Sequence, residues 1–218
     1  LDEKAFLEHA DGILNEKISI LREELGQFKS GLFFFYFDTL DMIQHMFWRY
    51  IDPEHPLFEP GSPYKDTIFN YYEKIDRILG EALNYLDQDT TLIVLSDHGF
   101  NSFRFGVHLN RWLLENGYLF LKQGETEGKE LLENVDWSKT KAYALGFGGI
   151  YINKIGREYY GIVDESETEG LKQEIIKELK KLRDPNTQGL VVNNVYDAQK
   201  IFNGPYLKDA PDLFMGFN

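Results

Sequence analysis

Two short stretches hold the side chains best suited to chemistry. In "FDTLDMIQHMFW" (37–48), Asp41 and His45 stand four residues apart. On a helix this spacing puts a carboxylate and an imidazole on one face, one turn apart, where both can reach a single ion. In "TLIVLSDHGFN" (91–101), an apolar run stops abruptly at Asp97 and His98, with Gly99 behind them. Carboxylate oxygen and imidazole nitrogen are the donors that divalent ions such as zinc accept. Gly99 lets the chain turn away without a side chain crowding the pair. Asp41, His45, Asp97 and His98 are therefore the candidate metal ligands.

Each of these residues also has a plainer reading. Asp38 would cap the helix that follows it, and Asp41 would sit near that helix's N-terminus, where acids are favoured. Asp97 would bond backbone amides in a turn. A lone histidine is more often a core or surface residue than a ligand. These readings do not explain why a histidine follows both acids at ligand-compatible positions.

The elements that must position the four residues are legible from hydrophobic spacing. Residues 2–28 read as an amphipathic helix, with Leu7, Ala10, Leu14, Ile18, Leu21, Leu25 and Phe28 three or four apart. Residues 31–37 are apolar on both faces, as in the middle of a parallel sheet. A second helix starts near Asp38 and Thr39. Residues 52–63 contain four prolines and a glycine and form a loop. Residues 64–86 are a strong helix and 91–96 the next strand. Strand, helix and strand in that order predict a βαβ unit in a parallel sheet. Ligands gather at the carboxyl ends of such strands, where both candidate pairs fall.

Beyond residue 101 the pattern changes. A short helix at 108–116 closed by Gly117, a strand at 118–122 and a polar excursion at 123–134 come first. Strands at 142–145 and 149–152 then flank "GFGG". A helix at 167–182 is stopped by "DPN", and late strands lie at 190–195 and 212–217. The fold class expected is α/β, a mostly parallel sheet with helices on both faces and a smaller α+β excursion. The divisions expected are a core segment at 1–106 carrying the ligand motifs, a cap or insertion at 107–203, and a return to the core sheet at 204–218.

Composition narrows the chemistry. The 218 residues, 43% hydrophobic, suffice for one sizeable core plus a small lobe. Cysteine is absent, which excludes a thiol nucleophile, a disulfide and a cysteine-held metal. With 23 Lys and Arg against 36 Asp and Glu, the net charge is −13. Such a balance opposes non-specific binding to a nucleic acid duplex or an anionic membrane. An anionic substrate would need local positive charge, which metal cations supply. No apolar run approaches the roughly 20 residues of a membrane-spanning helix. The compartment is not fixed by the sequence; the expectation leans cytoplasmic.

"FDTLDMIQHMFW", the later "LIVLSDHGF" and the helix between them resemble the alkaline phosphatase superfamily. The branch they are most similar to is that of type I phosphodiesterase/nucleotide pyrophosphatase-like proteins, described as phosphohydrolases or phosphomutases. "VHLNRWLLENGYL" (107–119), "GGIYINKIGREYYGIV" (148–163) and "APDLFMGFN" (210–218) extend the resemblance over nearly the whole chain from Gly31 onward. It implies an alkaline phosphatase-like core and two divalent ions, Zn²⁺ or Mn²⁺, about 4 Å apart. A phosphoryl group would be held between them while a Thr or Ser nucleophile, and then water, attacks phosphorus. Asp41 and His45 match the residues on one ion; Asp97 and His98 match the acid and imidazole of the "DHG" element. The substrate implied is a small phosphorylated molecule.

The family pattern also calls for an Asp after an early strand, a Thr or Ser nucleophile and a further His. The first two are expected upstream of Leu1 and the last beyond Asn218, so no catalytic nucleophile is assigned. Thr39 is on the wrong side of Asp41 to serve. His108, the histidine downstream of the "DHG" element, reads as part of a helix start. The expectation is therefore part of a larger phosphohydrolase, inactive by itself. The alternatives are a phosphomutase of the same superfamily and a non-catalytic metal- or ligand-binding domain. Asn110, Asn153 and Arg157 are secondary candidates for substrate contact. Cap, turn and surface roles account for them more simply.

Overall fold

A computed structural model describes residues 2–218. The chain forms two compact units, Leu1–Gly106 and Val107–Asn218.

Three helices build the first unit. Helix α1 (Glu3–Gln27) is capped by Asp2, whose carboxylate accepts the Ala5 N–H at 2.7 Å. Helix α2 (Thr39–Phe47) continues into a 3-10 turn (Trp48–Tyr50), and α3 (Thr67–Leu83) follows the proline-rich loop. Their apolar stripes meet in a core of Ala10, Leu14, Leu21, Ile43, Phe47, Tyr50, Ile68, Tyr71 and Ile78. Asp11 ties α1 to α3 by accepting bonds from the Tyr71 hydroxyl and Lys74.

The two strands expected in this unit do not pair. Residues 31–37 and 91–96 take no regular secondary structure, and among the described residues neither makes a backbone–backbone hydrogen bond. Phe33, Phe35 and Phe37 pack on the helical core, whereas Leu32, Phe34 and Tyr36 face solvent. Leu92, Ile93, Val94 and Leu95 are all exposed. A strand apolar on both faces is buried only when neighbours flank it and further layers cover it. The described residues supply neither, so the expected parallel sheet is not formed.

The sheet that is present belongs to the second unit and is antiparallel throughout. Helix α4 (Leu109–Glu115) leads to β1 (Ala142–Leu145) and β2 (Gly149–Ile152), a hairpin turning at "GFGG". Gly148 takes a φ of +92° there, which a side chain would resist. Helix α5 (Glu165–Leu179), β3 (Val192–Asp197), the short α6 (Ala198–Ile201) and β4 (Leu213–Phe217) complete the unit, in strand order β1-β2-β4-β3. Residues 204–218 thus send β4 between β2 and β3 rather than into a parallel core sheet. Leu113, Ile150, Ile152, Ile175, Leu179 and Leu213 form the fully buried centre. Residues 118–122, expected as a strand, contribute only one isolated bridge, from Leu121 to Val135.

Candidate metal-binding site

Asp41 lies in the first turn of α2, where the unpaired amides of a helix start favour a carboxylate. His45 follows one turn later, with its Nε2 3.5 Å from Asp41 Oδ1. His98 comes to the same oxygen from the segment 91–99, with its Nε2 at 3.8 Å. Asp97 stands at the edge, its Oδ2 3.7 Å from His98 Nε2 and its side chain 77% exposed. The fold therefore brings Asp41, His45 and His98 together around one oxygen, with Asp97 attached through His98.

That oxygen is one of five buried side-chain atoms left without a partner among the described residues. Asp41 Oδ1 is buried and has no hydrogen-bond partner. Leaving a buried carboxylate oxygen unpaired costs free energy, and such orphans call for an explanation. The two imidazoles stand too far away to bond it directly. Donors on neighbouring corners of a tetrahedral ion with bonds of about 2.0–2.1 Å lie about 3.3–3.4 Å apart. The 3.5 and 3.8 Å separations are close to that edge length. Among the described residues no three His, Asp or Glu side chains close on a common point as a formed centre would. The donor types and the orphaned oxygen fit a divalent ion; the donors stand slightly open.

The two imidazoles are held differently. His98 Nδ1 lies 2.9 Å from the Gly99 carbonyl, and donation of its proton there leaves Nε2 as the lone-pair nitrogen facing Asp41. The same bond, with the nearby charges of Asp97 and Asp41, raises the His98 pKa above its ordinary 6.5. His45 makes no hydrogen bond through either ring nitrogen among the described residues. Its ring is instead met edge-on by Phe100 at a centroid distance of 4.7 Å. Phe100 also stacks on Trp48 at 5.6 Å and reaches the His98 ring at 6.0 Å.

Several sequence expectations change in this setting. Asp38 makes no capping bond; its carboxylate takes a 2.7 Å ion pair from Lys17 of α1. Thr39 is fully buried with an unpartnered hydroxyl. His108 occupies the N-cap position of α4 without a capping bond. Asn110 pairs with both backbone groups of Ala144, acting as an added rung on β1. Asn153 donates to the carbonyls of Trp137, Thr140 and Tyr160. Arg157 is bound to Asp212, Glu158 and the Ile152 carbonyl. Each of these last three side chains is occupied by the fold of its own unit.

Sequence reasoning missed two supports of the site. Phe100 was legible only as an aromatic following "DHG". Arg104 had no signal at all. Its guanidinium grips Asp52 at 2.8 and 3.1 Å and Glu54 at 2.6 Å, fastening the segment after Phe100 to the loop after α2. The Arg104 bond holds the Asp52 carboxyl far below the usual carboxylate range.

The family model described as type I phosphodiesterase / nucleotide pyrophosphatase matches residues 4–215. Comparisons with curated proteins and with solved structures gave no match.

Proposed function

Since the chain belongs to the type I phosphodiesterase/nucleotide pyrophosphatase family of the alkaline phosphatase superfamily, we propose that it is the metal-holding part of a phosphoester hydrolase acting on a small phosphorylated substrate. The observation that carries this reading is the buried, unpartnered Asp41 Oδ1 with the His45 and His98 nitrogens beside it. Asp41, His45 and His98 would hold one divalent ion, Zn²⁺ or Mn²⁺. Asp97, more exposed, would reach toward a second. Bound ions would supply positive charge to a phosphoryl group in a chain whose own charge is −13.

The residues of the chain do the remaining work. The α2 start orients Asp41, the Gly99 carbonyl fixes the His98 tautomer, and Lys17 neutralises Asp38 beside the site. The family reading makes residues 31–37 and 91–96 strands of one parallel sheet, whose other strands the described residues do not supply. Support for it is that both are apolar and end at the site.

A second reading follows from the hydroxyls beside the ligands: that of Thr39 is fully buried and that of Ser96 is engaged with the His98 carbonyl, so neither offers a free nucleophile. A domain that binds metal and ligand without turnover is consistent with that.

Metal content after Zn²⁺ or Mn²⁺ loading, compared between wild type, His45→Ala and His98→Ala, tests the site. Both variants should lose metal; equal content in all three removes the reading. Assay of the loaded chain on phosphomonoesters and phosphodiesters separates the two readings. Hydrolysis supports the hydrolase, and bound metal without hydrolysis supports the binding domain.

A further inference from the structure

We propose that Phe100 is a positioning residue for metal binding, fixing by packing the His45 imidazole, which has no protein hydrogen-bond partner among the described residues; this rests on the metal reading above. A metal-binding histidine usually donates its second ring N–H to a carboxylate, carbonyl or water, which fixes the direction of the binding nitrogen. His98 has such a partner in the Gly99 carbonyl. His45 has none among the described residues, and its side chain is 64% exposed. Left alone, an exposed imidazole samples several rotamers, and ordering it opposes binding.

Phe100 removes that freedom. Its ring meets His45 at 76° and 4.7 Å, an edge-to-face contact that holds the imidazole plane. The ring is itself braced. Trp48, one helical turn beyond His45, stacks on it at 26° and 5.6 Å. On the other side the chain runs back through Gly99 to His98, and forward to Arg104, clamped on Asp52 and Glu54. Phe100 thus touches both imidazoles and links two histidines that stand more than 50 residues apart in the sequence.

Zinc affinity of the 218-residue chain, measured by chelator competition, tests this. Phe100→Ala should weaken binding about 10–100-fold, the range for losing an outer partner of a ligand. Phe100→Tyr, which keeps the ring, should restore affinity to within a few-fold. The decisive comparison uses His45→Ala as background. There Phe100→Ala should add little, because its effect passes through His45. The absorption bands of the Co²⁺-loaded protein should change with Phe100→Ala and return with Phe100→Tyr. Circular dichroism of the metal-free variants checks folding. If Phe100→Ala unfolds, Phe100→Leu, which keeps bulk but not the flat face, takes its place with the same expectation. Wild-type binding left untouched by these changes, or weakened equally in both backgrounds, overturns the role of Phe100 alone. Absence of binding in the wild type sinks the metal reading and this inference with it.

Discussion

Two aspartates, one in each unit, meet burial in opposite ways. Asp212, at the start of β4, is 7% exposed and fully engaged. Its carboxylate accepts the Ile152 N–H at 2.7 Å, Arg157 at 2.7 Å and Lys154 at 2.8 Å. Burial pushes its pKa up, but those bonds outweigh it and hold the carboxyl below its ordinary value. Asp41 has a buried oxygen with no partner and two imidazoles standing off from it. A satisfied buried carboxylate braces the fold around it, whereas Asp41, with a side chain 37% exposed and one oxygen buried, has no such bonds among the described residues. The second unit closes around Asp212, although the Asn153 side-chain oxygen is left buried without a partner. The first is open at its ligands and along two apolar segments.

Removing each aspartate breaks the comparison most sharply. Asp212→Ala strands the largely buried Lys154 without this carboxylate and leaves Arg157 with the Glu158 carboxylate alone, and should cost about 3–5 kcal/mol in urea unfolding. Asp41→Ala in metal-free protein should cost less than about 1 kcal/mol, because the oxygen removed has no bond to lose. The same change should reduce zinc affinity by more than the roughly 100-fold ceiling for outer partners, measured by calorimetric titration. Equal stability losses at the two positions would erase the distinction.

Acidity sharpens it further. The raised His98 pKa means that a proton competes for Nε2 up to a higher pH than for an ordinary histidine. Zinc affinity should therefore fall on acidification, starting above pH 6.5. Asp212 behaves in the opposite sense. Its lowered pKa contributes stability that is complete above the ordinary value of 3.8 and is lost as the pH falls through the folded-state value. Between these limits the chain should lose its metal while its second unit stays folded, visible as metal release ahead of any change in circular dichroism.

The smallest effect tests the open segments. In the 218-residue chain Val94 is 70% exposed, so Val94→Lys should shift stability by no more than about 0.5 kcal/mol. A loss of several kcal/mol would show that residues 91–96 are buried between neighbours.

Much of this was legible in advance. The three-and-four spacing of Leu14, Ile18 and Leu21 predicts α1, and that of Ile68, Tyr71, Ile75 and Ile78 predicts α3. These patterns are local, and helices satisfy their own backbone bonds. Asp41 and His45 fall on one helical face for the same reason. Strand pairing was not legible, because the partners of residues 31–37 and 91–96 are decided by what lies beside them. Nor could sequence reveal that Lys17 would hold Asp38, or that Asn153 would spend its amide on three carbonyls.

The sequence by itself determined the helices and the family and offered the candidate donors, since residue type and short-range period suffice for those. Only the tertiary structure decided that His98 reaches the oxygen shared with His45, that Phe100 touches both rings, and that Asp41 keeps an unpaired atom. Each of those depends on contacts between segments far apart in the chain, and no local pattern encodes the distances they end up at.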